Sequence, residues 1–93
     1  MPESLSEMRS QIDKIDQELI KVLAERFSVA KKVGQYKTNH QLPAQDKTRE
    51  RAMLLQRKNW AKQYGLSEGL VKDIFCLIIK KVVKDNAQDA KTK

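Results

Sequence analysis

The sequence predicts an all-α domain of three helices, spanning about residues 5–38, 46–64 and 67–86. Three observations lead there. Apolar residues recur at steps of three and four along most of the chain, the period of a helix with one buried face. No stretch sustains the strict alternation of a strand. Two short segments with helix-breaking residues divide the pattern.

Leu5, Met8, Ile12, Ile15, Leu19 and Val22 lie on the stripe of the first helix, and Val33 continues it. Ser4 or Ser6 can cap its start by accepting from an early backbone N–H. The pattern reaches about Lys37, which at ~1.5 Å per residue makes a helix of roughly 50 Å. So long a helix in a chain of 93 residues cannot bury its whole stripe against its own chain. It is expected to pair with a second copy of itself.

Thr38 to Gln45 forms the first joint, where Asn39 and Pro43 disfavour helix. Asp46 is placed to cap the second helix. Met53, Trp60 and Tyr64 mark one side of that helix, with Leu54 and Leu55 nearby. Gly65 supplies a left-handed stop. Ser67 is a good cap for the third helix, and Leu66 can staple onto Val71. Val71, Ile74, Phe75, Ile78 and Val82 carry its stripe to about Asn86. Residues 87–93 are polar and are expected to form a frayed or disordered tail. Residues 1–93 make one domain.

Composition narrows the function classes. Apolar residues are 40% and aromatics 5%, too few for a large self-contained core. The net charge of +7 fits an anionic partner: nucleic acid, a membrane surface or a small polyanionic metabolite. Charge alone does not choose among them. Cys76 is the lone cysteine, so no intramolecular disulfide forms; its place in the apolar run Ile74 to Ile79 reads as core-facing or partly buried. His40 is the only histidine, so no metal cluster is expected, and the sequence offers no cofactor site. Met1-Pro2-Glu3-Ser4 carries an acid and no apolar run, unlike a signal peptide. No window reaches the ~18 apolar residues of a membrane span. A cytoplasmic setting without a membrane partner is the expectation.

Polar residues on the stripes carry the chemistry. Arg26 occupies a core register between Val22 and Val29. Lys37 follows eleven residues later, and eleven steps of about 100° close nearly three turns, so the two cations share a face. Such a pair is costly on an apolar face unless partnered. The cations either snorkel, pair with Glu25 or another acid, or hold an anion. Arg9 lies about 100° off that face. It is either solvated or, in an antiparallel helix pair, able to reach a partner's pocket. Asp46, Arg49 and Glu50 fall on one face at i, i+3 and i+4. They read as a cap with a local ion pair, or as a mixed patch holding a carboxylate and a hydroxyl. Asn86, four residues after Val82, is either a helix stop or a neutral amide that donates to an uncharged oxygen.

As an ordered set these residues resemble the all-helical (AroQ-type) chorismate mutase family. The resemblance covers about residues 5–86. It starts at Met8-Arg9-Ser10-Gln11-Ile12-Asp13-Lys14-Ile15-Asp16. Leu23-Ala24-Glu25-Arg26 and Val33-Gly34-Gln35-Tyr36-Lys37 follow. Leu42-Pro43, Asp46, Arg49, Glu50 and Arg51 continue it, and Gly65-Leu66 and Phe75 to Ile79 close it. No single piece is specific; the order and spacing are.

The resemblance implies an intertwined helical homodimer with two active sites and the conversion of chorismate to prephenate in aromatic amino acid biosynthesis. By position, Arg9 is the arginine lent to the partner's site and Arg26 the in-chain carboxylate clamp. Lys37 matches the lysine at a carboxylate and the ether oxygen. Arg49 matches a residue near a substrate carboxylate, and Asp46 and Glu50 match acids near the ring hydroxyl. The family usually has a small hydroxyl residue where this chain has Val82, and glutamine or glutamate where it has Asn86. Asparagine is one methylene shorter at the position that bonds the ether oxygen.

Three other readings stand beside it. The isochorismate–pyruvate lyase branch of the same fold is resembled by Trp60 and the apolar Val82, while Asp46 and Glu50 favour the mutase. A mutase of aminated chorismate belongs with that alternative. A basic helical module for nucleic acid or an acidic protein draws on Lys80, Lys81 and Lys84, and would weaken steeply with salt. Some family members also depend on a partner enzyme of the shikimate pathway, which is a further expectation raised by Asn86.

Overall fold

The structure, a computed structural model, describes residues 4–91, with side chains to Gln88. It contains three helices and, among the described residues, no strand: α1 (Leu5–Asn39), α2 (Lys47–Gln63) and α3 (Glu68–Lys91). The chain divides into two compact units, the first ending at Ala30 and the second beginning at Lys31.

The first unit is the greater part of α1. Ser4 caps it, its Oγ accepting from the Glu7 N–H at 3.1 Å. That leaves the alternative cap, Ser6, as an ordinary helical residue. The expected stripe is present but uncovered: Ile12, Ile15 and Leu19 are 55%, 65% and 56% exposed. A helix stabilised mainly by an amphipathic face thus lacks a partner for that face in the single chain.

The second unit holds the end of α1 and the α2–α3 hairpin. α1 stops in a Schellman turn, with Leu42 N–H donating to Lys37 O at 2.8 Å and Gln41 N–H to Thr38 O at 3.3 Å. The left-handed residue of that turn is Gln41, at φ 58°. Asn39, expected in the joint, is the last residue of the helix. The same pair of bonds recurs at the end of α2, from Leu66 to Ala61 O at 2.8 Å and from Gly65 to Lys62 O at 3.3 Å. Gly65 is left-handed there as expected, at φ 71°. Ser67 Oγ accepts from the Leu70 N–H at 3.2 Å and starts α3.

α2 and α3 pack on each other through Met53, Ala61, Val71 and Ile78, the buried apolar residues of the described chain. Arg57 lies over the rings of Trp60 and Phe75, at 4.8 and 5.6 Å from their centroids. Such stacking lets a cation cover apolar surface.

Three expectations are corrected. Tyr64 is the C-cap of α2 and is 80% exposed, because the chain leaves the helix there. Cys76 is exposed, not core-facing. It stands two residues from Ile78, about 200° around the helix, and so on the opposite side from the buried row. α3 continues to Lys91 instead of ending near Asn86. Residues 87–91 contain neither proline nor glycine, and nothing in them breaks the helix. Residues 92 and 93 of the expected tail lie outside the described residues.

Candidate active site

The end of α1 supplies Lys37, half-buried in the last turn of the helix. One turn before it lies Gly34, the buried residue of α1. Thr38 Oγ1 donates to the Gly34 carbonyl at 3.1 Å. Asn86 of α3, also half-buried, sits directly on Gly34: a Cβ built there would lie 2.6 Å from Asn86 Oδ1 and as close to the rest of the carboxamide. Among the described residues the Asn86 carboxamide has no hydrogen-bond partner, and Lys37 has no ion pair.

The start of α2 supplies the acidic patch. Asp46 adopts an extended backbone (φ −123°, ψ 97°) and its Oδ1 accepts from the Arg49 N–H at 3.0 Å. Its carboxylate caps the helix instead of pairing with the Arg49 guanidinium. Asp46 and Arg49 are exposed. Glu50 is half-buried, and both its oxygens accept from the Gln45 amide, at 3.1 and 3.3 Å. These bonds orient two carboxylates and leave the Arg49 guanidinium available to an incoming anion. Glu50 borders a depression of about 250 Å³ whose α3 side is formed by Cys76, Ile79, Lys80 and Val83. Val82 is half-buried on the same stretch of α3.

Arg9 and Arg26 belong to the first unit. Arg9 is exposed, and Arg26 is half-buried and already engaged in an interaction. The second unit therefore seats Asn86 one turn ahead of Lys37 and gathers Asp46, Arg49 and Glu50 at one helix start. Two residues at this site escaped the sequence reading. Gln45 looked like loop, and only its bond to Glu50 gives it a role. Gly34 carried a readable signal, since a glycine inside a helix costs about 1 kcal/mol against alanine and so points to a packing reason. No group of three or more metal-binding side chains occurs among the described residues. No helix there is long and apolar enough to cross a membrane.

The sequence matches the family of type II chorismate mutases over residues 8–86, most of the chain and all of the site residues just described. The chain belongs to that family. A protein named chorismate mutase from Methanocaldococcus jannaschii is 34% identical over 80 residues, covering 86% of this chain and 81% of that protein. A T-protein from Haemophilus influenzae is 40% identical over 72 residues. The aligned stretch is 77% of this chain but only 19% of the T-protein, so the chain spans about a fifth of that longer relative. An isochorismate pyruvate lyase from Pseudomonas aeruginosa is 33% identical over 76 residues, 81% of this chain and 73% of the lyase.

Proposed function

We propose that this chain catalyses the rearrangement of chorismate to prephenate, at a site built from two copies of the chain. The observation that carries the reading is the family match over residues 8–86, a stretch that contains Arg9, Arg26, Lys37, Arg49 and Asn86.

The reaction breaks one C–O bond and forms one C–C bond within a single molecule. It needs no nucleophile and no obligatory proton transfer. The enolpyruvyl side chain must be held over the ring, an orientation problem. Arginines suit the two carboxylates because the guanidinium fork binds them bidentately. Arg26, Arg49 and the partner copy's counterpart of Arg9 take that task. Asp46 and Glu50, preset by the Arg49 N–H and the Gln45 amide, face the ring hydroxyl. As the C–O bond lengthens, negative charge grows on the ether oxygen. Lys37 and the Asn86 amide donate there and stabilise the transition state more than the ground state.

The bare row on α1 supports the two-copy arrangement. Leu5, Met8, Ile12, Ile15, Leu19, Val22 and Val29 are all exposed in the single chain. Covering the exposed half of such a row contributes on the order of 5–10 kcal/mol.

The test is loss of chorismate absorbance with product identification, run in parallel on isochorismate. Prephenate at enzymatic rates is the expected result. Salicylate and pyruvate from isochorismate, with little prephenate, would assign the chain to the lyase branch. That second reading draws on the lyase relative, and on Trp60 and Val82. No turnover of either substrate would contradict both.

A further inference from the structure

Gly34 is helical, so its lack of a side chain is not a demand of the backbone. The reason lies across the packing: the space of its missing Cβ is filled by Asn86 Cγ, Nδ2 and Oδ1. The carboxamide is held there by shape alone, with no hydrogen bond of its own among the described residues. The Gly34 carbonyl is already taken by Thr38 Oγ1.

We propose that Gly34 is a positioning residue that seats the Asn86 amide against α1 and aims it at the acceptor served by Lys37. Three residues separate Gly34 from Lys37, a rise of roughly 4.5 Å along the helix. That is a spacing at which an amide and an ammonium can share one oxygen. A Cβ at position 34 would strike the far end of a flexible side chain, not backbone, so the amide swings away while the helices stay in place.

The proposal rests on the chorismate mutase reading and is tested by a double-mutant cycle of Gly34→Ala and Asn86→Ala. Turnover of chorismate, circular dichroism and the Asn86 side-chain amide resonance in ¹H–¹⁵N spectra are measured on each chain. Gly34→Ala alone should lower kcat about 10- to 100-fold with KM changed less than about threefold, and should shift the Asn86 amide resonance. On top of Asn86→Ala the same change should alter kcat by less than about twofold, because the two residues act as one unit. Equal losses in both backgrounds, or full activity of Gly34→Ala, would overturn the proposal. So would a Gly34→Ala chain that fails to fold while the double variant folds, since the amide then does not swing aside. If the unaltered chain turns over no chorismate, the functional reading fails. The amide resonance still decides the seat: an unmoved signal in Gly34→Ala refutes it.

Discussion

At the residue scale the chemistry rests on which polar groups are left open. Two ion pairs are local, Lys62 with Glu68 at 3.5 Å and Lys81 with Asp85 at 3.0 Å. Lys37 and the Asn86 carboxamide have no such partner among the described residues. Replacing Lys37 by alanine should lower kcat by about 10²- to 10³-fold, a loss of ~3–4 kcal/mol of transition-state stabilisation. Steady-state kinetics would show it, and a kcat within twofold of the parent would remove the lysine from the mechanism. Asn86→Asp keeps the shape but replaces an amide donor with a carboxyl that donates only when protonated. Its activity should be greatest in acid and fall as pH rises through about 4, the ordinary carboxyl range. A pH–rate profile parallel to the parent's would show that residue 86 donates nothing. These positions were legible in the sequence because each breaks an apolar period. The seat under Asn86 was not, because a glycine shows what it leaves room for only once α3 lies against it.

At the scale of elements, periodicity and capping chemistry placed all three helices. Ser4, Asp46 and Ser67 all cap as their side chains allow. The ends were less legible. α3 runs past Asn86 because a polar tail with no breaker is still helix-compatible. The turn after α1 has a glutamine in the left-handed region, which no sequence rule singles out, whereas the turn after α2 has the expected glycine. The contrast makes a paired prediction. Gly65→Ala should destabilise by about 1–2 kcal/mol, from backbone strain alone, because the space around its Cβ is open. Gln41→Gly should stabilise by about 0.5 kcal/mol, relief of that strain being partly offset by the freedom glycine gains when unfolded. Thermal unfolding of the two variants measures both; shifts in the same direction would contradict the assignment of these turns.

At the scale of the whole molecule, the sequence foretold the long helix with more apolar stripe than one chain can cover, and the structure leaves that stripe bare. The occupant of the stripe was not legible in periodicity, which fixes a face and not what lies on it. If a second copy covers it, a charge in its middle should separate the copies and weaken α1, whose apolar face has no other cover. Ile15, 65% exposed, is the place to put one. Ile15→Asp should sediment at half the mass of the parent and lose part of its helical circular dichroism; an unchanged mass would place the interface elsewhere.

Chorismate rearrangement at a site shared by two copies can be tested by mixing two inactive variants. Arg9→Ala and Lys37→Ala chains, combined under conditions shown to exchange subunits, should recover activity. In an equal mixture half the dimers are mixed and one of their two sites is intact, so about a quarter of the parent's turnover should return. No recovery in a mixture that demonstrably exchanges would contradict the shared site.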